Sequence, residues 1–265
     1  MIRPCCGGRG SRAPSVLVLA ALAAVLAGGP ACAQTPDTGA QSAVGEAVTP
    51  FAEAVSDDRI YWHGVLDELE GRFLGGPSPA FRWDGEAWAG TDTNRLWLKS
   101  EGFASNGTVI EGDHELLYAR ALSTYFDLQA GVRCDLDSLP GRGWAAIGLQ
   151  GLAVNFVRLS VTAYASDGGH FAGKLLATYE VLLSQRLILE PLIELNAYTH
   201  PDRAREVASG VSDLDAGLRL RYEVSRKFAP YLGVAYERTR AAAVLNAIAD
   251  RAGLWRLTLG LRAWL

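Results

Sequence analysis

Alternation with a period of two dominates the chain downstream of residue 60. In the segment QRLILEPLIELNAYTH (Gln185 to His200), Leu187, Leu189, Pro191, Ile193, Leu195 and Ala197 share one parity. Ile188, Glu190, Leu192, Glu194, Asn196 and Tyr198 share the other. A strand sends successive side chains to opposite faces, so one face is apolar and the other carries carboxylates and an amide. The same pattern recurs in VLDELEGRF, where Val65, Leu69 and Phe73 oppose Glu68, Glu70 and Arg72. It recurs in AFRWDGEAWAG, where Phe81, Trp83, Ala87 and Ala89 oppose Arg82, Asp84, Glu86 and Trp88. HELLYARAL is read with Leu117, Ala119 and Ala121 outward and Tyr118 and Arg120 inward. YFDLQAGVRCDL sets Phe126, Leu128, Ala130 and Val132 against Asp127, Gln129, Arg133 and Asp135, and LWRLTLGLRAWL sets Trp255, Leu257, Leu259 and Leu261 against Arg256, Thr258 and Arg262. Asn106-Gly107 and Asp167-Gly168-Gly169 mark turns. Pro191 lacks an amide proton and predicts a bulge or a gap in pairing.

These segments number about twelve. A strand of ten or more residues is long enough to cross a bilayer at a tilt, and polar–apolar alternation repeated this often marks a transmembrane barrel. The expected fold is therefore all-β: a closed antiparallel transmembrane β-barrel of about 12 strands, spanning 59–265, behind a disordered N-terminal tail. A soluble sandwich would place its apolar parity in a central core. Strand length, an apparent export signal and a strand running to the last residue favour the membrane.

The first 33 residues read as a secretory signal peptide: Arg3, Arg9 and Arg12, an apolar run from Ser15 to Gly28, then Ala31-Cys32-Ala33. Residues 34–58 are rich in Ala, Thr, Pro, Gly and acids without periodicity, as in a disordered periplasmic tail. The formal charge is −4, and loss of the three arginines with the signal would leave −4 − 3 = −7. An acidic chain with no basic cluster argues against nucleic acid as a partner. With Cys5, Cys6 and Cys32 in the leader region, Cys134 stands alone in the barrel, on an apolar parity.

Two kinds of candidate site emerge. His63, His114, His170 and His200 are the candidate metal ligands, with Asp113-His114-Glu115 the densest group, although no pair has the close spacing of a local metal site. The charged parity gives Glu68, Glu70, Arg82, Asp84, Lys99, Glu101, Arg120, Asp127, Arg133, Asp135, Glu190, Glu194, Arg219, Arg221, Glu223 and Arg262 as lumen-lining residues. Enclosed charges need partners, so ion pairs bracing a narrow barrel are expected, alongside a carboxylate-lined path that could pass or hold a divalent cation. No G-x-S-x-G run or triad spacing is present, so no enzyme is expected.

The stretches RWDGEAWAGTDTNRLWLKSEG, YARALSTYFDLQAGVR, LSQRLILEPLIELN and LRLRYEVSRKFAPYLGVAYER resemble, in order, the copper resistance protein B family of Gram-negative outer-membrane barrels. The resemblance covers about Asp58 to Leu265. It implies an outer-membrane location after signal cleavage, copper as the ion handled, and copper resistance through binding or exporting copper at the envelope. It also implies outer-membrane lipid, and a periplasmic copper-binding protein, as partners. Members often carry a Met/His-rich segment ahead of the barrel. Here Met1 is the one methionine, residues 34–58 hold no histidine, and the chain ends Trp264-Leu265 rather than on an aromatic residue. A narrow general channel for small solutes is the alternative, with a barrel enzyme behind it.

Overall fold

A computed structural model describes residues 59–265, apart from 76–77, 138, 140, 203–204, 206, 243–247 and 251–252. The expected signal peptide and tail lie outside the described residues. Long antiparallel strands make up nearly all of the rest: β1 (Tyr61–Phe73), β2 (Ala80–Gly90), β3 (Asn94–Ser105), β4 (Thr108–Ala121), β5 (Phe126–Asp135), β6 (Arg142–Leu152), β7 (Arg158–Ser166), β8 (Phe171–Thr178), β9 (Val181–Leu182), β10 (Leu187–Tyr198), β11 (Gly210–Tyr222), β12 (Phe228–Ala242), β13 (Ile248–Asp250) and β14 (Leu254–Trp264).

Each strand pairs with its neighbour, β14 pairs with β1, and the ring closes. Twelve strands form the wall, because β9 continues β8 along β10 and β13 pairs only with the far end of β12. Closure leaves no unpaired edge, the condition for a sheet to cross a bilayer. Both ends of the wall lie at one rim, the termini rim; the loops after β1, β3, β5, β7, β10 and β12 lie at the distal rim.

Burial separates a membrane barrel from a soluble one. Ile193, Leu257 and Leu259 are 39, 38 and 57 % exposed, whereas Glu190, Glu194 and Arg256 are 8, 6 and 7 % exposed. The apolar parity therefore faces outward and the ionised parity inward, over an outer surface of exposed Leu, Val and Ile too extensive for contact with water.

Local chemistry explains the details. Asn106 and Gly107, with φ of 52° and 73°, make the two-residue turn that joins β3 to β4. Pro191 keeps its register with β11. Its missing donor falls on the other side, where pairing breaks between β8 and β9 and only Tyr179 N donates to Pro191 O (3.1 Å). The outcome is a gap rather than a bulge. At Gly102 a Cβ would sit 2.2 Å from the Trp83 ring, so glycine lets that indole lie flat against the outer wall.

One strand corrects the sequence reading. In β4 Leu117 and Ala119 are buried, while Leu116, Tyr118 and Arg120 are exposed. Arg120 is therefore on the outer face, not in the lumen. The cause is an apolar cluster inside the barrel, where Trp97, Leu117, Ala119, Trp144, Ala146 and Tyr164 pack together. Greasy side chains at these positions face their own kind along one arc inside the lumen instead of lipid.

Candidate functional site

The lumen is crossed by ion pairs. Arg72 on β1 donates through Nε to Glu70 Oε1 (2.6 Å) and through Nη1 to Asp215 Oδ2 (2.5 Å) on β11 and Glu237 Oε1 (2.7 Å) on β12. Arg82 on β2 reaches Glu68 (2.9 Å), Asp215 (2.9 Å) and Glu194. Since β2 and β10 are five strands apart in a ring of twelve (β2, β1, β14, β12, β11, β10), the Arg82–Glu194 tie runs almost across the bore. Lys174 on β8 makes a second such tie to Glu101 on β3, and also lies 3.3 Å from Glu194. Nearer the termini rim, Arg219 pairs with Glu68 (2.8 Å), Arg221 with Glu190 (2.5 Å), and Arg262 with Asp67 (2.8 Å) and Glu180 (3.2 Å). Towards the distal rim Arg133 joins Asp113 and Asp135, both at 2.7 Å. Hydrogen-bonded pairing of this density is what enclosed charges require.

Beside the ties lies a cavity of about 320 Å³. Among its described lining residues are eight carboxylates (Asp67, Glu68, Asp84, Glu86, Glu101, Asp113, Glu115 and Glu190) and four cations (Lys99, Arg158, Lys174 and Arg219). Register explains the concentration of acid: Asp84 stands opposite Glu101, Glu101 opposite Asp113, and Asp113 opposite Asp135. Like charges directly opposite one another repel, so this row is stabilised by Lys174 from across the lumen and by Arg133 from within β5 itself. Tyr164 donates to Glu115 Oε1 (2.5 Å), and Lys99 donates to Gln129 (3.1 Å) and Gln150 (2.6 Å). Glu86 lines the cavity opposite Lys99 in the β2–β3 register.

The structure scatters the four histidines. His63 Nδ1 lies 2.7 Å from the main-chain oxygen of Leu265, at the β1–β14 closure. His114 is on the outer face, 3.0 Å from Ser100 Oγ, which also accepts from Trp83 Nε1 (3.3 Å). The sequence group Asp113-His114-Glu115 is thus split by the wall, its acids inside and its imidazole outside. His170 and His200 lie at the distal rim, where His200 Nδ1 is 3.0 Å from Thr199 Oγ1. Among the described residues no three His, Cys, Asp or Glu side chains are arranged as a metal-binding group.

Of the sixteen charges expected inside, Glu68, Glu70, Arg82, Asp84, Lys99, Glu101, Asp127, Arg133, Asp135, Glu190, Glu194, Arg219, Arg221 and Arg262 lie on the inward parity. Arg120 faces out, and Glu223 follows the end of β11, where its amide bonds to Arg186 O. Sequence reasoning missed Glu115 and Tyr164 as a pair, and Glu237 and Glu180 as arginine partners. Parity within a strand carries the first of these, since Asp113 and Glu115 share the odd positions with Leu117. No local signal gives partners carried on other strands.

Comparison with known proteins adds the family. The model described as copper resistance protein B precursor (CopB) matches residues 60–265. This chain belongs to the copper resistance protein B family. Copper resistance protein B of Escherichia coli is 42% identical over 185 residues, 70% of this chain and 62% of the relative. The chain thus spans somewhat less than two thirds of that protein's length. A copper resistance protein B homolog of Pseudomonas syringae pv. tomato is 40% identical over 212 residues, 79% of this chain and 72% of the relative. Among solved structures, the NanC porin aligns with a TM-score of 0.50 at 14% identity, covering 75% of this chain and 98% of that one. That likeness concerns the fold, an outer-membrane-type barrel. The descriptions of the family and of both relatives name a resistance protein and no enzyme activity.

Proposed function

We propose that this chain, exported through a cleaved signal peptide to the outer membrane of a Gram-negative bacterium, contributes to copper tolerance by taking copper ions into the acidic side of its lumen. The observation that carries the reading is the cavity in which eight carboxylates face four cations, in a chain of the copper resistance protein B family. Carboxylates, amides and hydroxyls are hard oxygen donors that suit Cu(II), whereas Cu(I) prefers thiolate, thioether and imidazole. The lumen as described offers the first set. Lipid surrounds the wall, and a periplasmic copper-binding protein is the partner that would load or unload the cavity.

Copper binding and liposome flux of the refolded full chain test this, beside Asp84→Asn/Glu86→Gln and a variant lacking His63, His114, His170 and His200. The expected result is saturable Cu(II) binding that weakens about tenfold in the carboxamide variant and persists without the histidines. Binding lost only with the histidines would move the site out of the lumen. Neutral sugars passing as fast as copper would make the protein a general channel, and the cross-lumen ties at Arg82 and Lys174 argue against that bore.

A further inference from the structure

Strand register does what sequence spacing does not: it sets two of the four histidines opposite each other at the distal rim. The β8–β10 ladder runs through Asn196↔Lys174 and Ala197↔Gly173 to Tyr198↔Ala172. It continues one step further, since Thr199 N donates to Phe171 O (2.9 Å). The next rung places His200 opposite His170. Hydrogen-bonded and non-hydrogen-bonded pairs alternate along an antiparallel ladder. Thr199 and Phe171 are a hydrogen-bonded pair, so the histidines take the other kind, in which Cα atoms approach to about 4.5 Å. Both also share the even parity that turns Ala172, Lys174 and Tyr198 into the lumen.

The backbone beneath each imidazole is held. His170 O accepts from Ser166 N (2.9 Å) across the β7–β8 hairpin. Thr199 Oγ1 donates to Phe171 O (3.2 Å) and accepts from Phe171 N (3.3 Å), which ties the end of β10 to the start of β8. The same hydroxyl lies 3.0 Å from His200 Nδ1. Its one proton goes to Phe171 O, so the oxygen accepts from Nδ1–H. That tautomer leaves the lone pair on His200 Nε2, and a partner on one ring nitrogen is what orients the other towards a metal. His200 is exposed and His170 half-buried. Among the described residues the His170 ring makes no hydrogen bond or ion pair.

We propose that His170 and His200 form a two-imidazole site for Cu(II) at the distal mouth, with water completing the coordination. Imidazole suits copper, and Cu(II) binds nitrogen donors more tightly than other divalent first-row ions do. Side chains directly opposite on one face have Cβ atoms about 5 Å apart, so both rings reach one ion. Lys174 lies further along β8 on the same parity, about 13 Å down the wall at ~3.3 Å per residue. An ion leaving the pair inward meets Glu101 and Glu194 there. The choice of copper rests on the function proposed above; the pairing of the imidazoles does not.

The test uses the refolded full chain without an affinity tag, with heat-modifiable gel mobility to establish folding. Cu(II) is titrated into the parent, His170→Ala, His200→Ala, the double variant and His63→Ala/His114→Ala, and electron paramagnetic resonance counts the coordinated nitrogens. The parent is expected to show a class of Cu(II) coupled to two nitrogens. Each single variant should lower the affinity of that class at least tenfold, because the chelate is lost when either ring goes, and the double variant should abolish it. His63→Ala/His114→Ala should leave it unchanged. Absence of the class from the parent overturns the proposal, as does parental affinity, within twofold, in either single variant. Asp84→Asn/Glu86→Gln separates this site from the lumen, since it should weaken oxygen-coordinated copper alone. A parent with nitrogen-coordinated copper and no oxygen-coordinated class would sink the lumen reading and leave the rim site standing.

Discussion

The two sides of the lumen solve the problem of enclosed charge differently. On the seam side, the contiguous arc β1, β14, β12 and β11 interleaves Arg72, Arg219, Arg256 and Arg262 with Asp67, Glu68, Glu70, Asp215 and Glu237, so that attraction is satisfied within four neighbouring strands and space is filled. On the β2–β4 side acid stands beside acid, and the space in front of it stays open as the cavity. Local pairing makes a brace. A row of like charges held from across the bore makes a place for a cation. The difference teaches that charge content alone does not mark function in a barrel lumen; what matters is whether partners come from the same arc of the wall or from the far side.

The sharpest way to break the comparison is to unbrace the seam side. Replacing Arg72 with Met leaves Glu70, Asp215 and Glu237 facing one another where three hydrogen-bonded ion pairs stood. Removing one partner of a buried pair costs about 3–5 kcal/mol. Urea unfolding followed by heat-modifiable mobility should show that loss, and a midpoint within error of the parent would mean the lattice is not structural.

The tie at Lys174 tests the boundary between the two sides. Lys174→Met cuts the link from β8 to Glu101 and Glu194, and the side chain borders the cavity rather than the packed seam, so a smaller loss of about 1–3 kcal/mol is expected. It also leaves the acidic row with one cation fewer. Selectivity for potassium over chloride in planar bilayers should therefore rise in this variant; a fall would place Lys174 outside the ion path.

The barrel itself was legible in the sequence because lipid imposes a strict period of two. Twelve segments, the inward phase of Glu190 and Glu194, and the turn at Asn106-Gly107 all follow from residues within one strand. The phase of β4 was misread for a physical reason. Leu117 and Ala119 serve a core inside the lumen, and Tyr118 and Arg120 lie on the outer face near the termini rim, so hydrophobicity no longer says which way is out. Asp113 and Glu115 carry the correct phase four and two residues upstream of Leu117. The cross-lumen partners were beyond reach, because nothing in a strand's own sequence says which wall it faces. Nor did the histidines carry their roles on their surface: His63 touches Leu265 beside the β1–β14 ladder that closes the ring, and His114 contacts Ser100 on the outer face.

His63 gives the next smaller effect. Its contact with the Leu265 oxygen, beside the Leu265 N to Gly64 O bond (2.9 Å), fastens the last residue to β1. His63→Ala removes one partly buried hydrogen bond, about 1 kcal/mol. Refolding into lipid vesicles should slow while copper binding stays at the parent level; loss of copper binding would make His63 a ligand instead of a clasp.

The smallest effect on stability should come from the acidic side, and that is what makes it informative. Glu86 lines the cavity, and among the described residues it makes no ion pair within 4.0 Å, in contrast to Glu70 on the neighbouring strand. Glu86→Gln keeps the shape and removes one charge, so the unfolding midpoint should shift by no more than about 0.5 kcal/mol. Cation selectivity and Cu(II) affinity should both fall, because the cavity lining loses a charge that is not consumed in a close ion pair. If stability dropped as it does for Arg72→Met while selectivity held, the acidic wall would be another brace, and the distinction between the two sides of the lumen would disappear.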